Sequence, residues 1–230
     1  MKDKKELQTA GKEAFVTQPT FQKKALRFRY FLILITFGFA VLTIFAKQYS
    51  YFKFDLIFTL FIQRYDAFWF DILMRFITFL GNSGSVAVLL VFFSLYGFFI
   101  GKRKIIIMLI CSTIGGFLIS QILKHIVSRA RPDPSLIHQI GQYIRTDSFP
   151  SGHVMGAVSL YGFMLYIAYT HIKKENSLRH ISMGLCSLVI LLMGLSRIYL
   201  GAHWFSDVLG AYLLGFIWLS FVVFIYHKLK

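Results

Sequence analysis

The sequence predicts an all-α integral membrane bundle of six transmembrane helices, with interfacial amphipathic helices between the first and the second. Two observations lead to this fold class. The 230 residues are 57% hydrophobic and only 15% charged, whereas a soluble domain is about 45–50% apolar and about 25% charged. The apolar residues also collect in long uncharged runs, which indicates a membrane protein rather than a soluble protein with a large core.

Six runs lack any charged residue, and we expect each of them to form one transmembrane helix. Each run has 16 to 19 residues. A helix needs about 20 residues to cross about 30 Å of hydrocarbon, and flanking aromatic side chains can supply the remainder. The runs are residues 30–46, 83–100, 105–123, 154–170, 181–196 and 208–226. The predicted organisation is a cytoplasmic basic tail, residues 1–29, followed by one membrane domain, residues 30–227.

The segment between the first two runs, residues 47–82, is apolar but is interrupted by charged side chains. We expect one or two amphipathic helices in the membrane interface, with Trp69 and several Phe side chains towards the acyl chains. Asp71 and Arg75 are four residues apart, which is the spacing of an ion pair on a helix. A seventh span is the alternative, and it would reverse the orientation of everything that follows.

The formal net charge of +15 raises the question of a nucleic-acid partner. We expect none, because the Lys and Arg residues cluster between apolar runs rather than along one face or in a tail with interleaved aromatics. With the N-terminus inside, 16 of the 25 Lys and Arg residues fall on cytoplasmic segments and 9 on outer segments. This positive-inside bias predicts a multi-pass protein of the cell membrane with both termini in the cytoplasm.

The predicted topology brings three polar stretches to the extracytoplasmic face. Residues 124–132 end the third helix, residues 149–153 begin the fourth, and residues 196–207 connect the fifth to the sixth. The fourth and sixth helices both begin here, so their unpaired N–H groups and positive dipole ends face the same space. We therefore expect the chemistry of the protein on this side.

The last of these stretches contains an arginine, a histidine and an aspartate. His203 and Asp207 are four residues apart, so they share one face if the chain is helical from Trp204 onward. This spacing indicates an imidazole held by a carboxylate, with the Arg197 guanidinium nearby. For this stretch taken alone, a short polar loop between two membrane helices is an equally good interpretation.

The stretch at the start of the fourth helix has the composition of an oxyanion site. Ser151 is a candidate N-cap after Pro150, Gly152 lets the backbone come close to a ligand, and His153 lies in the first turn. A serine hydroxyl and successive amides at a helix start commonly bind phosphate. A plain helix cap is the alternative.

Cations collect on the outer face, where the positive-inside pattern predicts few of them. Lys124 and Arg131 are seven residues apart, so two helical turns would align them, although Pro132 indicates that the helix ends nearby. Guanidinium, ammonium and backbone N–H groups together suit a phosphate oxyanion. Taken together, the three stretches favour a phosphate site. Arg129 and Arg145 are expected to attract anionic lipid headgroups.

The pattern Lys-x6-Arg-Pro, then Pro-Ser-Gly-His, then Ser-Arg-x5-His-x3-Asp resembles the signature of the type 2 phosphatidic acid phosphatase (PAP2) superfamily. The resemblance covers residues 124–207 without a departure at a signature position. Three motifs in order and at fixed internal spacing form a specific signal. The six-helix layout is similar to the membrane lipid phosphatase branch, which includes phosphatidylglycerophosphatase B and undecaprenyl-pyrophosphate phosphatases.

The resemblance implies a role for each signature residue. His203 is the expected nucleophile and forms a phosphohistidine, Asp207 holds its ring, and His153 is the expected general acid. The remaining residues are expected to bind the phosphate oxygens. They are Lys124, Arg131, Ser151, Gly152 and Arg197. No metal and no other cofactor is implied, and a zinc site is disfavoured because three neighbouring cations would repel the ion.

The predicted function is a metal-independent membrane lipid phosphatase with its active site on the outer face. Its expected substrate is the phosphomonoester or pyrophosphate of a bilayer lipid, namely phosphatidylglycerophosphate, phosphatidic acid or undecaprenyl pyrophosphate. One alternative is a lipid-phosphate transporter or scramblase without hydrolysis, which would need the cations but not the His203–Asp207 pair. A structural membrane protein with basic loops is the other.

Overall fold

The structure is a computed structural model that describes residues 3–140 and 147–229, with side chains described from residue 22 onward. The described residues form eight α-helices and no β-strand, which confirms the all-α prediction for this part of the chain. The helices are α1 (Asp3–Gln48), α2 (Lys53–Gln63), α3 (Phe68–Leu80), α4 (Ser83–Phe99), α5 (Arg103–Val127), α6 (Gly152–His171), α7 (Ser177–Tyr199) and α8 (Phe205–Lys228).

Among the described residues, five helices are long and apolar enough to cross a membrane. They are Gln22–Gln48 within α1, and α5, α6, α7 and α8. The pair α3 and α4 passes the same test only when taken together, and it is bent by 57° at the break between them. The chain is therefore a multi-pass membrane protein with five candidate spans, or six if the bent pair is one span. The predicted total of six stays a prediction.

The segment predicted to lie in the interface contains two helices, α2 and α3. The predicted ion pair on α3 is confirmed, since Nε of Arg75 lies 2.8 Å from Oδ2 of Asp71. α3 packs against α7, and α2 contacts both α7 and α8. One charged residue of α2 faces the protein, because Asp55 is only 1% exposed. The interfacial position of the two helices stays a prediction.

The chain divides into two units, Met1–Gly38 and Phe39–Lys230. The first is the N-terminal part of α1. In the second, α6 packs against α5, α7 and α8. Its buried side chains lie all around the helix and include Val154, Leu160 and Phe163, each fully buried. Such an all-round apolar helix is typical of the centre of a membrane bundle.

Small residues set how closely the neighbours of α6 approach it. A Cβ on Gly116 of α5 would lie 2.1 Å from Oγ of Ser159, and one on Gly215 of α8 would lie 2.8 Å from Cγ1 of Val158. Both positions therefore tolerate only glycine at the present helix separation. This close packing fixes the first turn of α6 relative to the end of α5 and the start of α8.

The helix directions bring the three polar stretches to one end of the bundle. α5 and α7 end where α6 and α8 begin, and at this end the backbone N–H of Ser151 donates to the carbonyl of Asp207 at 3.2 Å. At the opposite end, Lys104 at the start of α5 lies over the ring of Tyr226 near the end of α8, 4.5 Å from its centroid. The predicted gathering of these stretches is thus found in the structure.

Candidate active site

A cavity of about 770 Å³ opens at this end of the bundle. Its lining includes six of the eight residues predicted for the site, namely Lys124, Arg131, Gly152, His153, Arg197 and His203. The other two, Ser151 and Asp207, are fully buried beside them. Side chains of α4 and α5 make the rest of the wall largely apolar, among them Val86, Leu90, Ile114 and Phe117. The cavity therefore combines a cationic end with an apolar wall.

The imidazole and the carboxylate predicted to pair lie close together, but not on one helical face. α8 begins at Phe205 with Trp204 as its N-cap, so His203 precedes the helix while Asp207 lies in its first turn. Nδ1 of His203 is 3.6 Å from Oδ2 of Asp207, within ion-pair range and beyond an ordinary hydrogen bond. His203 follows a turn in which Gly201 has a φ of +68°, and this turn places it next to Asp207.

The carboxylate of Asp207 is held from several directions. Its Oδ2 accepts the N–H of Trp204 at 2.9 Å and the hydroxyl of Ser148. Its Oδ1 accepts from Nη1 of Arg129 at 2.5 Å. The Ser148 hydroxyl also lies 3.4 Å from Nδ1 of His203. Because Nδ1 faces this cluster, Nε2 is the ring nitrogen left for the cavity.

Burial decides the protonation of His203. The side chain is 2% exposed, and burial lowers its pKa to about 3, although the neighbouring carboxylate of Asp207 acts in the opposite direction. The positive charges of Arg131 and Lys124 lower the pKa further. The imidazole is therefore neutral at physiological pH and carries a lone pair, as a nucleophile requires.

Two of the predicted cations come from the end of α5 and the loop after it. Lys124 lies in the last turn and is 8% exposed, and its Nζ donates to the carbonyl of Asp147 at 2.5 Å. The helix ends at Val127, where Ser128 adopts a left-handed conformation with φ 51°. Two helical turns therefore do not align Arg131 with Lys124, because the loop carries Arg131 to the cavity instead.

The third cation lies at the end of α7. Arg197 is 3% exposed, and its Nη1 donates to the hydroxyl of Thr78 on α3 at 3.2 Å. Across the loop, Nη1 of Arg131 donates to the carbonyl of Ala202, directly before His203, at 3.0 Å. Both guanidiniums line the same cavity as the imidazole.

The start of α6 has a serine hydroxyl without a hydrogen-bond partner among the described residues and a glycine with free space around its Cα. Ser151 is the N-cap, as predicted, but its side chain makes no capping bond. Its Oγ is buried and has no hydrogen-bond partner among the described residues. A Cβ on Gly152 would lie 3.9 Å from both Cε of Lys124 and Oγ of Ser120, so protein packing does not require glycine here. An oxyanion would use both features.

His153, in the first turn of α6, has a partner that the sequence analysis missed. Its Nε2 lies 2.8 Å from Oδ1 of Asn82. Asn82 is the N-cap of α4 and sits at the bend between α3 and α4. No local pattern marks this asparagine, because it lies 71 residues from the histidine.

Two further residues of the site were missed or misassigned. Ser148 is fully buried against Asp207, and its position directly before Phe149 and Pro150 was the available signal. Arg129 was expected to attract lipid headgroups, but its side chain is 0% exposed and pairs with Asp207. Arg145, the other arginine expected to attract headgroups, lies outside the described residues.

The described residues include no group of three or more His, Cys, Asp or Glu side chains placed to hold a metal ion. His203 and Asp207 contact each other and Ser148, and His153 contacts Asn82. The predicted independence of metal stays a prediction.

Comparison with known proteins gives a family match over the second half of the chain. Residues 104–230 match the PAP2 superfamily. Phosphatidylglycerophosphatase B of Bacillus subtilis (strain 168) is 31% identical over 160 residues, which are 68% of this chain and 75% of that protein.

Two crystal structures resemble the fold. One is a transmembrane PAP2-type phosphatidylglycerolphosphate phosphatase from Bacillus subtilis, with a TM-score of 0.75 and 25% sequence identity over 86% of this chain and 97% of that one. The other is Aquifex aeolicus LpxE, with a TM-score of 0.60 and 24% identity over 75% of this chain and 96% of that one. The membrane fold of this chain is therefore that of the first structure.

Proposed function

Because the chain belongs to the PAP2 superfamily, we propose that it is a membrane lipid phosphatase that works through a phosphohistidine intermediate. The observation that carries the proposal is the cavity in which a buried neutral imidazole, a second histidine and three cations meet. The cations and the start of α6 suit the phosphate group. The apolar wall suits the part of a lipid next to its headgroup.

In the first step, Nε2 of His203 attacks phosphorus and forms the P–N bond while the bond from phosphorus to the leaving oxygen breaks. His153 enters this step in its charged form and donates one of its two ring protons to that oxygen, which leaves as an alcohol or, from a pyrophosphate, as a lipid monophosphate. Asp207 stabilises the positive charge that develops on the attacking ring, as in other histidine–carboxylate pairs.

The phosphate-binding residues stabilise the transferring group during both steps. The guanidiniums of Arg131 and Arg197 and the ammonium of Lys124 neutralise its equatorial oxygens. The buried hydroxyl of Ser151 and the N–H of Gly152 donate to the same group. In the second step, His153 takes a proton from water, which attacks phosphorus and breaks the P–N bond to release inorganic phosphate.

The proposed substrate class is a phosphorylated bilayer lipid: phosphatidylglycerophosphate, phosphatidic acid or undecaprenyl pyrophosphate. The relatives named for phosphatidylglycerophosphate support the first of these. The wall formed by α4 and α5 supports a lipid over a soluble phosphate, because side chains such as Phe117 and Leu90 would contact the first part of the tail. The substrate then enters sideways from the bilayer.

The proposal includes six spans, with α3 and α4 together as the second, both termini in the cytoplasm and the site on the extracytoplasmic face. It also includes catalysis without a metal ion. The distribution of Lys and Arg residues supports this orientation. The gathering of three cations around one cavity supports metal-free binding of phosphate.

A transporter or scramblase without hydrolysis is not favoured. Such a protein would need the cations but would have no need of a buried His203 that faces Asp207 on one side and the cavity on the other. Burying that polar pair costs free energy, and binding a lipid without reaction would not require the pair.

Phosphate release tests the proposal. Purified wild-type protein and the His203→Ala variant are incubated with a panel of phosphorylated lipids in one detergent. We expect wild-type protein to release phosphate from at least one of them. The rate of His203→Ala should be lower by a factor of at least about 10³, because the variant lacks the nucleophile. If wild-type protein releases phosphate from none of the lipids in the panel, the proposal is wrong.

A further inference from the structure

A buried arginine outside the predicted site joins the start of α8 to two other parts of the chain. Nη1 of Arg129 donates to Oδ1 of Asp207 at 2.5 Å and to Oγ of Ser206 at 2.7 Å. Its Nη2 donates to Oδ2 of Asp55 at 3.1 Å, and its Nε donates to the carbonyl of Tyr49 at 3.1 Å. One guanidinium therefore contacts α8, α2 and the residue after α1.

Asp55 is the second member of this cluster and lies in the first turn of α2. Its Oδ1 accepts the N–H of Ser206 at 2.8 Å, and its Oδ2 accepts the hydroxyl of Ser206 at 2.7 Å and the N–H of Phe52 at 3.0 Å. The Ser206 N–H is one of those that a helix start leaves unpaired. Asp55 thus caps α8 from a different helix, and its negative charge suits the positive end of the helix dipole.

The guanidinium of Arg129 lies between two buried carboxylates. Asp55 is 1% exposed and Asp207 fully buried. Arg129 contacts one carboxylate oxygen of each, with Nη1 on Asp207 and Nη2 on Asp55. Removing the arginine would leave two buried carboxylates without their shared counter-charge, which is strongly unfavourable. Asp207 would then lose the contact that fixes its Oδ1 and with it the orientation of Oδ2 towards His203.

We propose that Arg129 and Asp55 are positioning residues for the reaction, which act on His203 through the carboxylate of Asp207. Arg129 fixes Oδ1, and Oδ2 is thereby directed at Nδ1 of His203, 3.6 Å away. Among the described residues, neither Arg129 nor Asp55 lines the cavity, so neither contacts the substrate. The inference rests on the proposed phosphatase function and gives helix α2 a part in it.

Three variants test the inference: Arg129→Met, Arg129→Lys and Asp55→Asn. We expect Arg129→Met and Asp55→Asn to lower kcat by about 10- to 100-fold, the usual loss when a residue that orients a reacting group is removed. KM should stay within about twofold, since the cavity lining is untouched, and Arg129→Lys should recover part of the loss. Arg64→Met is the matched control, because Arg64 is exposed at the end of α2.

The double variant separates action through Asp207 from any other effect. In an Asp207→Asn background, Arg129→Met should reduce kcat by less than about threefold, because residues that act as a unit are not additive. A full multiplicative loss in that background would contradict the inference. So would a rise of KM with kcat unchanged in Arg129→Met alone.

An NMR measurement that does not depend on catalysis tests the inference independently of the proposed function. The imidazole of His203 is followed by ¹⁵N NMR of histidine-labelled protein in detergent, with His203→Gln to assign its signals. We expect wild-type His203 to carry its proton on Nδ1, and Arg129→Met and Asp55→Asn to populate the other tautomer. Unchanged signals would overturn the inference even if the protein hydrolyses no lipid.

Folding is checked by circular dichroism and gel filtration of each variant. If Arg129→Met does not fold, Arg129→Lys and Asp55→Asn carry the kinetic and NMR measurements. If all three variants lose the helical signal or aggregate, the cluster is structural and the inference is wrong.

Discussion

At the scale of single residues, the site combines buried cations with a neutral imidazole. Lys124 is 8% exposed and Arg197 is 3% exposed, and the bonds described above join them to a carbonyl and a hydroxyl. Burying several cations around one cavity costs free energy that an anion bound among them offsets. A phosphate group in the cavity would supply that anion, so the protein prepares the charge distribution before the substrate binds.

Gly152 gives the first prediction at this scale. Since a Cβ there would make only ordinary contacts at 3.9 Å, Gly152→Ala should fold with an unchanged melting temperature. The added methyl group would occupy space next to the phosphate, so we expect KM for a lipid phosphate to rise about 10-fold, or about 1.4 kcal/mol. Melting curves and steady-state kinetics measure both quantities.

Gly184→Ala on α7 is the control, because a Cβ there meets nothing within 4 Å among the described residues. It should leave KM unchanged. A stable Gly152→Ala protein with wild-type KM would show that the ligand does not approach this backbone.

Asn82 gives the second prediction, because it contacts the proposed general acid. We expect Asn82→Ala to lower kcat for a lipid phosphate by about 10-fold, since the Nε2–H of His153 would lose the acceptor that fixes its ring. A substrate with a good leaving group, such as p-nitrophenyl phosphate, needs less protonation and should lose less. The ratio of the two rates is the measurement.

Ser85→Ala, one turn into α4, serves as the control for helix α4. Equal losses on both substrates in Asn82→Ala would argue against a role in proton transfer. An effect on KM alone would place Asn82 in substrate binding instead.

At the scale of elements, the turn between α7 and α8 sets the site. Arg197 lies just before it, in the last turn of α7, and His203 lies at its end. Gly201 in its middle has φ +68°, and a Cβ there would lie 2.7 Å from the carbonyl oxygen of His138. Two separate constraints, backbone conformation and close approach of another loop, therefore require glycine. The turn holds Arg197 and His203, the proposed phosphate-binding residue and nucleophile, at a fixed separation.

Gly201→Ala should therefore lose both stability and activity. The strained conformation costs about 1–3 kcal/mol, and the clash with His138 would move the turn. Gly101→Ala is the matched control, because Gly101 has φ +70° with nothing within 4 Å of a Cβ among the described residues and lies at the other end of the bundle. It should lower the melting temperature but keep kcat. Equal loss of kcat in the two variants would contradict this account.

The two helices between the first and second predicted spans have different parts in the site. α3 supplies Thr78, which fixes Arg197, and its bend into α4 places Asn82 beside His153. α2 supplies Asp55, which holds Arg129 and the start of α8. For this segment, the charged residues that interrupt its apolar sequence predicted amphipathic helices in the membrane interface, with a seventh span as the alternative. The charge of Asp55 in fact points into the protein.

At the scale of the whole molecule, the orientation in the membrane can be measured. Cys111 and Cys186 are first replaced by serine, and then single cysteines are introduced at Ser135, on the loop after α5, and at Glu175, between α6 and α7. Both positions are exposed. We expect a membrane-impermeant thiol reagent to label Ser135→Cys in intact cells and Glu175→Cys only after permeabilisation. The reverse result would place the site on the cytoplasmic side.

The sequence by itself determined the membrane class and the residues proposed to carry the chemistry. Uncharged runs of 16 to 19 residues are local features, and a hydrocarbon core accepts little besides helices, so the fold class follows from them. The three motifs likewise have fixed internal spacing. Helix ends at one side of the membrane then bring Lys124, His153 and His203 to one cavity.

The tertiary structure alone decided the partners of these residues. Arg129 meets Asp55 and Asp207 across 74 and 78 residues of chain, and Asn82 meets His153 across 71. Such pairs depend on how helices pack and where loops turn, which no local spacing encodes. The loop after Val127 and the turn at Gly201 also replaced the helical alignments expected for Arg131 and His203. A cation between apolar runs has the same local pattern whether it faces lipid or a buried carboxylate, and only the packed structure distinguishes the two.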